Sequence, residues 1–223
     1  MNKKTKSKSK SKSKSLIDTA LQLQNMGLNH GATGNCSCRD DDTYLITPSA
    51  IETINLSEDK VIRMDFAGNV VDSISNLKPS SEWRFHQDIM SQRKEVGAIV
   101  HTHSIYASTL SLFGNELPPF HYMIAVVGGD SVRCAPYAMF GTQELSDNIL
   151  DALTGRKACL IANHGLIAVG ENLTEALHIA EEVEHLCHLY IEAKKIGEPN
   201  LLSKKEMSGV IERFQTYSRW IKD

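Results

Sequence analysis

The residues from Val96 to Val100 form an unbroken apolar run that ends on His101-Thr102-His103. A run this short reads as a strand buried within a sheet. Side chains alternate faces along a strand, so His101 and His103, two apart, point the same way and can hold one ion between them. A third histidine, His164, lies in Asn163-His164-Gly165 with strand-like flanks and a glycine that permits close approach. Three histidines around a divalent ion with an open position make a catalytic site, because structural zinc is usually closed by four protein ligands. A lone histidine on an apolar strand is more often a satisfied core residue, so the weight rests on the coincidence of three.

The other elements follow from period and punctuation. Leu16, Ala20, Leu23 and Met26 keep helical spacing up to Gly27. Two hairpins are expected, Cys36 to Arg39 with Tyr44 to Thr47 and Val61 to Phe66 with Val70 to Ser73. Pro79-Ser80-Ser81-Glu82 resembles a helix start with a hydroxyl cap ahead of Trp83 to Met90. Val96 to His101 leads into a short helix. Further strands are expected at Ser131 to Pro136, Ala158 to Ala162 and Leu166 to Val169, with a helix at Thr142 to Leu153. Asn172 with Glu175 and Ser203 with Glu206 are capping boxes that open the last two helices. Hairpins mixed with helices around one buried strand point to a layered α/β domain with a largely antiparallel sheet. No glycine-rich dinucleotide or P-loop motif is present.

Composition narrows the class. A chain of 223 residues can bury one sizeable core. No apolar stretch approaches the ~20 residues of a membrane span, and no secretory signal follows the basic start, so a cytoplasmic protein is expected. Seven of the 24 basic residues fall in residues 1–15, which hold no acid, leaving 17 against 27 acidic residues over the rest. The alternating Lys and Ser of that segment are expected to form a disordered, solubilising arm, with residues 16–223 as the folded domain. The acidic body argues against a nucleic-acid partner. Five scattered cysteines fit reduced, buried thiols rather than disulfides.

Three loops rich in small residues contain Gly34 and Asn35, Ser49 and Ala50, and Ser80 and Ser81. Such loops can bind phosphate through hydroxyls and free backbone N–H groups, although turns need the same residues. Glu82 reads equally as a helix N-terminal charge or as a general base. His178, His185 and His188 lie among glutamates on a helix and read as a solvated face.

The run Lys78-Pro79-Ser80-Ser81-Glu82-Trp83-Arg84-Phe85-His86 carries more specific information together with His101-Thr102-His103, His121-Tyr122-Met123-Ile124-Ala125, Ala135-Pro136-Tyr137-Ala138, Phe140-Gly141-Thr142 and Asn163-His164-Gly165-Leu166-Ile167-Ala168. In this order the motifs resemble the class II aldolase and adducin-head family, from about Leu16 to near Tyr217. The resemblance implies a single three-layer α/β domain, a homotetramer with sites between neighbouring subunits, and one zinc ion per subunit held by His101, His103, His164 and Glu82. Glu82 would also exchange a proton at C3 of dihydroxyacetone phosphate. The phosphate would sit among Gly34, Asn35, Ser49, Ala50, Ser80 and Ser81. Tyr122 of a neighbour would protonate the aldehyde oxygen, and Phe140, Phe214 and Tyr217 would close over the site. The implied reaction is reversible cleavage of L-fuculose 1-phosphate, or a related deoxy-ketose 1-phosphate, to dihydroxyacetone phosphate and L-lactaldehyde.

The chain departs from the pattern at Ala50, where the family often has glycine, and at Ala32. Two rival readings stay within the resemblance. Epimerases such as the L-ribulose-5-phosphate 4-epimerases carry aspartate at the position of Glu82, and adducin-head modules lack the metal site, so Glu82 and the three histidines favour an aldolase.

Overall fold

In the computed structural model, which describes the backbone of residues 3–72 and 77–220 and the side chains of residues 11–72 and 77–214, helix α1 (Lys3–Asn25) leads into the hairpin β1 (Asn35–Asp40) and β2 (Thr43–Ile46). The hairpin β3 (Ile62–Asp65) and β4 (Val70–Asp72) follows, so both expected hairpins form; Ser73, at the end of the second, lies outside the described residues. Then come helix α2 (Trp83–Gln92), strand β5 (Ala98–Thr102), the short helix α3 (Ile105–Ser111) and a 3-10 turn at Tyr122–Val127. Strand β6 (Cys134–Ala135), helix α4 (Gln143–Ala152), the hairpin β7 (Ala158–Ile161) and β8 (Gly165–Gly170), and helices α5 (Leu173–Ile196) and α6 (Lys204–Trp220) complete the chain.

The eight strands form one sheet in the order β4-β3-β2-β1-β5-β8-β7-β6, antiparallel except for the β6–β7 pair. Strand alternation sorts the side chains into two cores. Ala98 and Val100 join Leu16, Leu23, Leu160 and Leu186 on the face covered by α1 and α5, while Ile99 joins Phe85, Ile89, Leu145 and Ile167 under α2 and α4. Burying a side chain such as Ile99 or Val100 contributes about 2 kcal/mol. The strand that carries His101 and leads to His103 is thus anchored on both faces, and the α/β domain has three layers.

Most helix ends follow the expected chemistry. Thr142 accepts from Leu145 N–H and Asn172 from Glu175 N–H. At α6 the box is reciprocal, with Ser203 N–H donating to Glu206 and Glu206 N–H to the Ser203 hydroxyl. At α2 the expected hydroxyl cap is replaced: Glu82 takes the capping position without a side-chain capping bond, because its carboxylate turns toward the histidines. The strand expected over Ser131 to Pro136 shrinks to the two residues of β6, since Ser131 and Val132 leave the sheet to meet other partners, Val132 bridging Leu117.

The boundary expected at residue 15 falls inside α1, which runs from Lys3 to Asn25. Lys12 Nζ lies 2.9 Å from Asp40 Oδ1 and Arg63 Nη1 2.6 Å from Asp40 Oδ2. The Asp40 carboxylate is buried at the end of β1, and the lysine that helps neutralise it holds the helix to the sheet. Hydroxyl bonds from Ser15 to the Ser11 carbonyl and from Thr19 to the Ser15 carbonyl run along the same turns. Among the described residues, no helix is long and apolar enough to cross a membrane.

Candidate metal and substrate site

The site forms at one end of the sheet, where β5 ends and β1 and β8 begin. Asn35 pairs with His101 across β1 and β5, and His164 sits in the turn just before β8. A Cβ at Gly165 would collide with the Thr102 carbonyl, so glycine is what lets this turn approach β5. Asn163, with φ +57°, takes the left-handed conformation that aims His164 inward. From the layer below, the start of α2 brings up Glu82.

The donor atoms of Glu82, His101, His103 and His164 lie within 4.8 Å of one another. His101 Nε2 is 3.0 Å from His103 Nε2 and 3.2 Å from Glu82 Oε2, and His164 Nε2 is 3.3 Å from Glu82 Oε1. Two observations fit a cation at their centre. Glu82 Oε1 is buried without a hydrogen-bond partner, which costs about 1–3 kcal/mol if nothing compensates it. His101 Nδ1 lies 3.0 Å from the Leu166 carbonyl, so the Nδ1–H is spent on that bond and Nε2 is the nitrogen left to face a cation, the usual support of a metal-binding histidine.

The charges respond to one another. Burial pushes the Glu82 carboxyl up, but His101 and His164 beside it, with hydrogen bonding from His101 and Asn35, bring it down to about 2. Burial opposes charge on His101, yet Glu82 and the Leu166 carbonyl outweigh it and raise the ring above its ordinary value. Burial and then the charge of His101 lower His103 to about 3 and His164 to about 4. Without an ion the cluster thus shares few protons around one carboxylate, and His103 and His164 are already in the neutral form that ligands need.

The cluster opens into a cavity of about 420 Å³ lined by Gly34, Asn35, Ser49, Ala50, Ser80, Ser81 and Phe140, along with Glu82, His103 and His164. The residues expected to take a phosphate therefore share one pocket with the metal donors. Ala50 adopts φ +58°, a left-handed conformation that a glycine would hold without strain. Tyr122 is 51% exposed and does not line this cavity. Phe214 packs instead against the core under α5. The side chain of Tyr217 lies outside the described residues. Cys36 and Cys38 are buried thiols whose ionisation burial pushes up, Cys38 to about 12, as expected of packing residues. His178 and His185 are exposed on α5, while His188 stacks on Tyr106 with ring centroids 3.8 Å apart.

Three supporting residues are not evident in the sequence. Asn29 is buried and clamps the backbone that carries two ligands: its Nδ2 donates to the His101 carbonyl at 3.2 Å, and its Oδ1 accepts from His103 N–H at 2.9 Å. A Cβ at Gly34 would overlap both the Asn29 amide and the His101 carbonyl, which explains glycine there. Glu184, on α5, accepts from the N–H groups of Tyr106 and Ala107 at 2.8 Å each and so caps the helix that follows His103. His86 is fully buried behind Asn35. No spacing signal marks any of them, since each acts on a distant backbone or amide.

Comparison with known proteins agrees with this geometry. Residues 14–191 match the Class II Aldolase and Adducin N-terminal domain. A 5-methylthioribulose-1-phosphate/5-deoxyribulose-1-phosphate aldolase of Rhodospirillum rubrum is 46% identical over 202 residues, 91% of this chain and 90% of the relative. An L-fuculose phosphate aldolase of Escherichia coli is 44% identical over 209 residues, covering 93% and 96%. A solved L-fuculose 1-phosphate aldolase superposes with a TM-score of 0.88 at 40% identity, over 92% of this chain and 96% of that one. With four metal donors converging at the end of the same sheet, the chain belongs to the class II aldolase and adducin N-terminal domain family.

Proposed function

We propose that this class II, metal-dependent aldolase cleaves deoxy-ketose 1-phosphates, with L-fuculose 1-phosphate as first substrate, to dihydroxyacetone phosphate and a small aldehyde such as L-lactaldehyde. The carrying observation is the buried, unbonded Glu82 oxygen among three histidines, at the mouth of a cavity lined by three phosphate-type loops. Relatives at 46% and 44% identity divide between methylthioribulose or deoxyribulose and fuculose phosphates, so a 5-deoxy- or 5-methylthio-pentulose 1-phosphate is the second reading.

Zinc suits a set of three imidazoles and one carboxylate. When bound by His101, His103, His164 and Glu82, such an ion supplies Lewis-acid stabilisation of the negative charge that develops on the substrate oxygens. The residues do the rest. Ser49, Ser80 and Ser81, with the backbone of the loops at Gly34–Asn35 and Ser49–Ala50, hold the phosphate and fix the reacting carbon against Glu82. In the cleavage direction, Tyr122 of a neighbouring copy takes the proton of the C4 hydroxyl. The C3–C4 bond breaks with its electron pair left on C3, and Glu82, which takes up a proton from solvent once it parts from its histidine neighbours, delivers that proton there, while Tyr122, acting as phenolate, returns the hydroxyl proton to solvent. In condensation Glu82 takes that proton back. Burial is the largest influence on this carboxyl and acts upward, so a Glu82 released from its histidine neighbours becomes a stronger base. Phe140, which lines the cavity, and Tyr217 are assigned to closing the site, and a homotetramer supplies Tyr122. Exposed Ile105, Leu112 and Phe113 support an oligomer.

A coupled assay for dihydroxyacetone phosphate tests this, using L-fuculose 1-phosphate, 5-deoxyribulose 1-phosphate, 5-methylthioribulose 1-phosphate and L-ribulose 5-phosphate. Release from L-fuculose 1-phosphate is expected, lost on chelation and lowered about 10²-fold or more in Glu82→Gln. Activity that persists after thorough metal removal would refute the reading.

A further inference from the structure

His86 lies on α2 one turn beyond Glu82, fully buried, and is not among the metal donors. Its Nδ1 is 2.7 Å from Ser37 Oγ and its Nε2 is 2.5 Å from Asn35 Oδ1. At the other end of the Asn35 amide, Nδ2 lies 3.0 Å from Ser80 Oγ and 3.0 Å from Glu82 Oε2. The protons in this chain can be placed by elimination. An ionised carboxylate accepts and does not donate, so the nitrogen of the Asn35 amide must face Glu82. The amide oxygen then faces His86, and since it too can only accept, His86 carries its proton on Nε2. Nδ1 is left without a proton and accepts a hydrogen bond from the Ser37 hydroxyl. Donation runs one way, from Ser37 through His86 and Asn35 to Glu82.

A second consequence appears at Ser80. Its Oγ accepts from Asn35 Nδ2 and from the Glu82 N–H at 3.3 Å. With those two acceptor sites taken, its own proton is free to point into the cavity that Ser80 lines. Phe85 stacks against the His86 ring at 4.6 Å between centroids, which limits reorientation of the imidazole.

We propose that His86 is a positioning residue: its Nε2–H locks the Asn35 amide in the orientation that donates to Glu82 and Ser80, and so sets both the proton-exchanging carboxylate and a hydroxyl aimed at the substrate phosphate. This rests on the aldolase reading above. An apolar side chain at 86 would leave Asn35 free to turn over, placing its oxygen against the carboxylate and releasing Ser80.

Two measurements test it. A neutron structure of the metal-loaded enzyme should show the deuteron of His86 on Nε2 and none on Nδ1. Steady-state kinetics should show His86→Leu losing about 10- to 100-fold in kcat/KM, with KM raised as well as kcat lowered and metal per chain unchanged. His86→Gln, which keeps an N–H donor toward Asn35, should recover most of the loss. If His86→Leu does not fold, Ser37→Ala carries the kinetic test with the same sign and a smaller effect. A deuteron on Nδ1, or wild-type KM and kcat in a folded His86→Leu or, failing that, in Ser37→Ala, overturns the proposal. Failure of the aldolase reading is distinguishable, since wild-type enzyme would then release no dihydroxyacetone phosphate while the neutron result still decides the tautomer.

Discussion

At the scale of single residues, the ligands are held by neighbours as much as by their own strands. Asn29 pairs with both the His101 carbonyl and the His103 N–H, so Asn29→Ala is expected to weaken binding of a divalent ion about 10- to 100-fold, read with zinc by competition with a chromophoric chelator, with far-UV circular dichroism unchanged. Affinity should also depend on pH with a definite sign. His101 sits above its ordinary value in the ion-free protein, so an incoming cation must displace its proton; affinity rises with pH beyond the ordinary imidazole range and levels once His101 is neutral. The same competition titration across a pH series checks this, and a flat profile would contradict the coupling. The three histidines and Glu82 were legible in the sequence because strand alternation and motif order mark them. Asn29 was not, because its partners lie 72 and 74 positions away and nothing local announces a side chain that imitates a strand edge. Glu82 was legible as a candidate, yet its choice between capping a helix and facing histidines was decided by the fold.

Among the elements, the short helix α3 follows His103 directly, and its free N–H groups are closed from another helix by Glu184. Two charge-assisted bonds to a helix start give Glu184→Ala an expected cost of about 2 kcal/mol, measured by urea unfolding with the metal-free protein so that ion binding does not mask it. Caps at Asn172 and Ser203 and both hairpins could be read from local chemistry, because each depends on residues a few positions apart. The order of the sheet could not. Strand β5 enters between β1 and β8, and such pairing rests on long-range packing that no short window of sequence contains.

For the whole molecule, the proposed site draws on two copies. Tyr122 stands exposed, away from the cavity of its own chain, so inactive Tyr122→Phe and Glu82→Gln proteins are expected to regain part of the wild-type activity when dissociated together and reassembled. Sedimentation should report a tetramer for the active species. An active monomer, or no recovery in verified mixed assemblies, would rule out sharing. The N-terminal segment bears on how such material is best prepared. Because Lys12 grips Asp40, shortening the polypeptide has a sharp limit: cutting ahead of residue 11 spares that salt bridge, whereas cutting after residue 15 strips a shielded acid of one of its two counter-charges and invites fraying at the tip of the first hairpin.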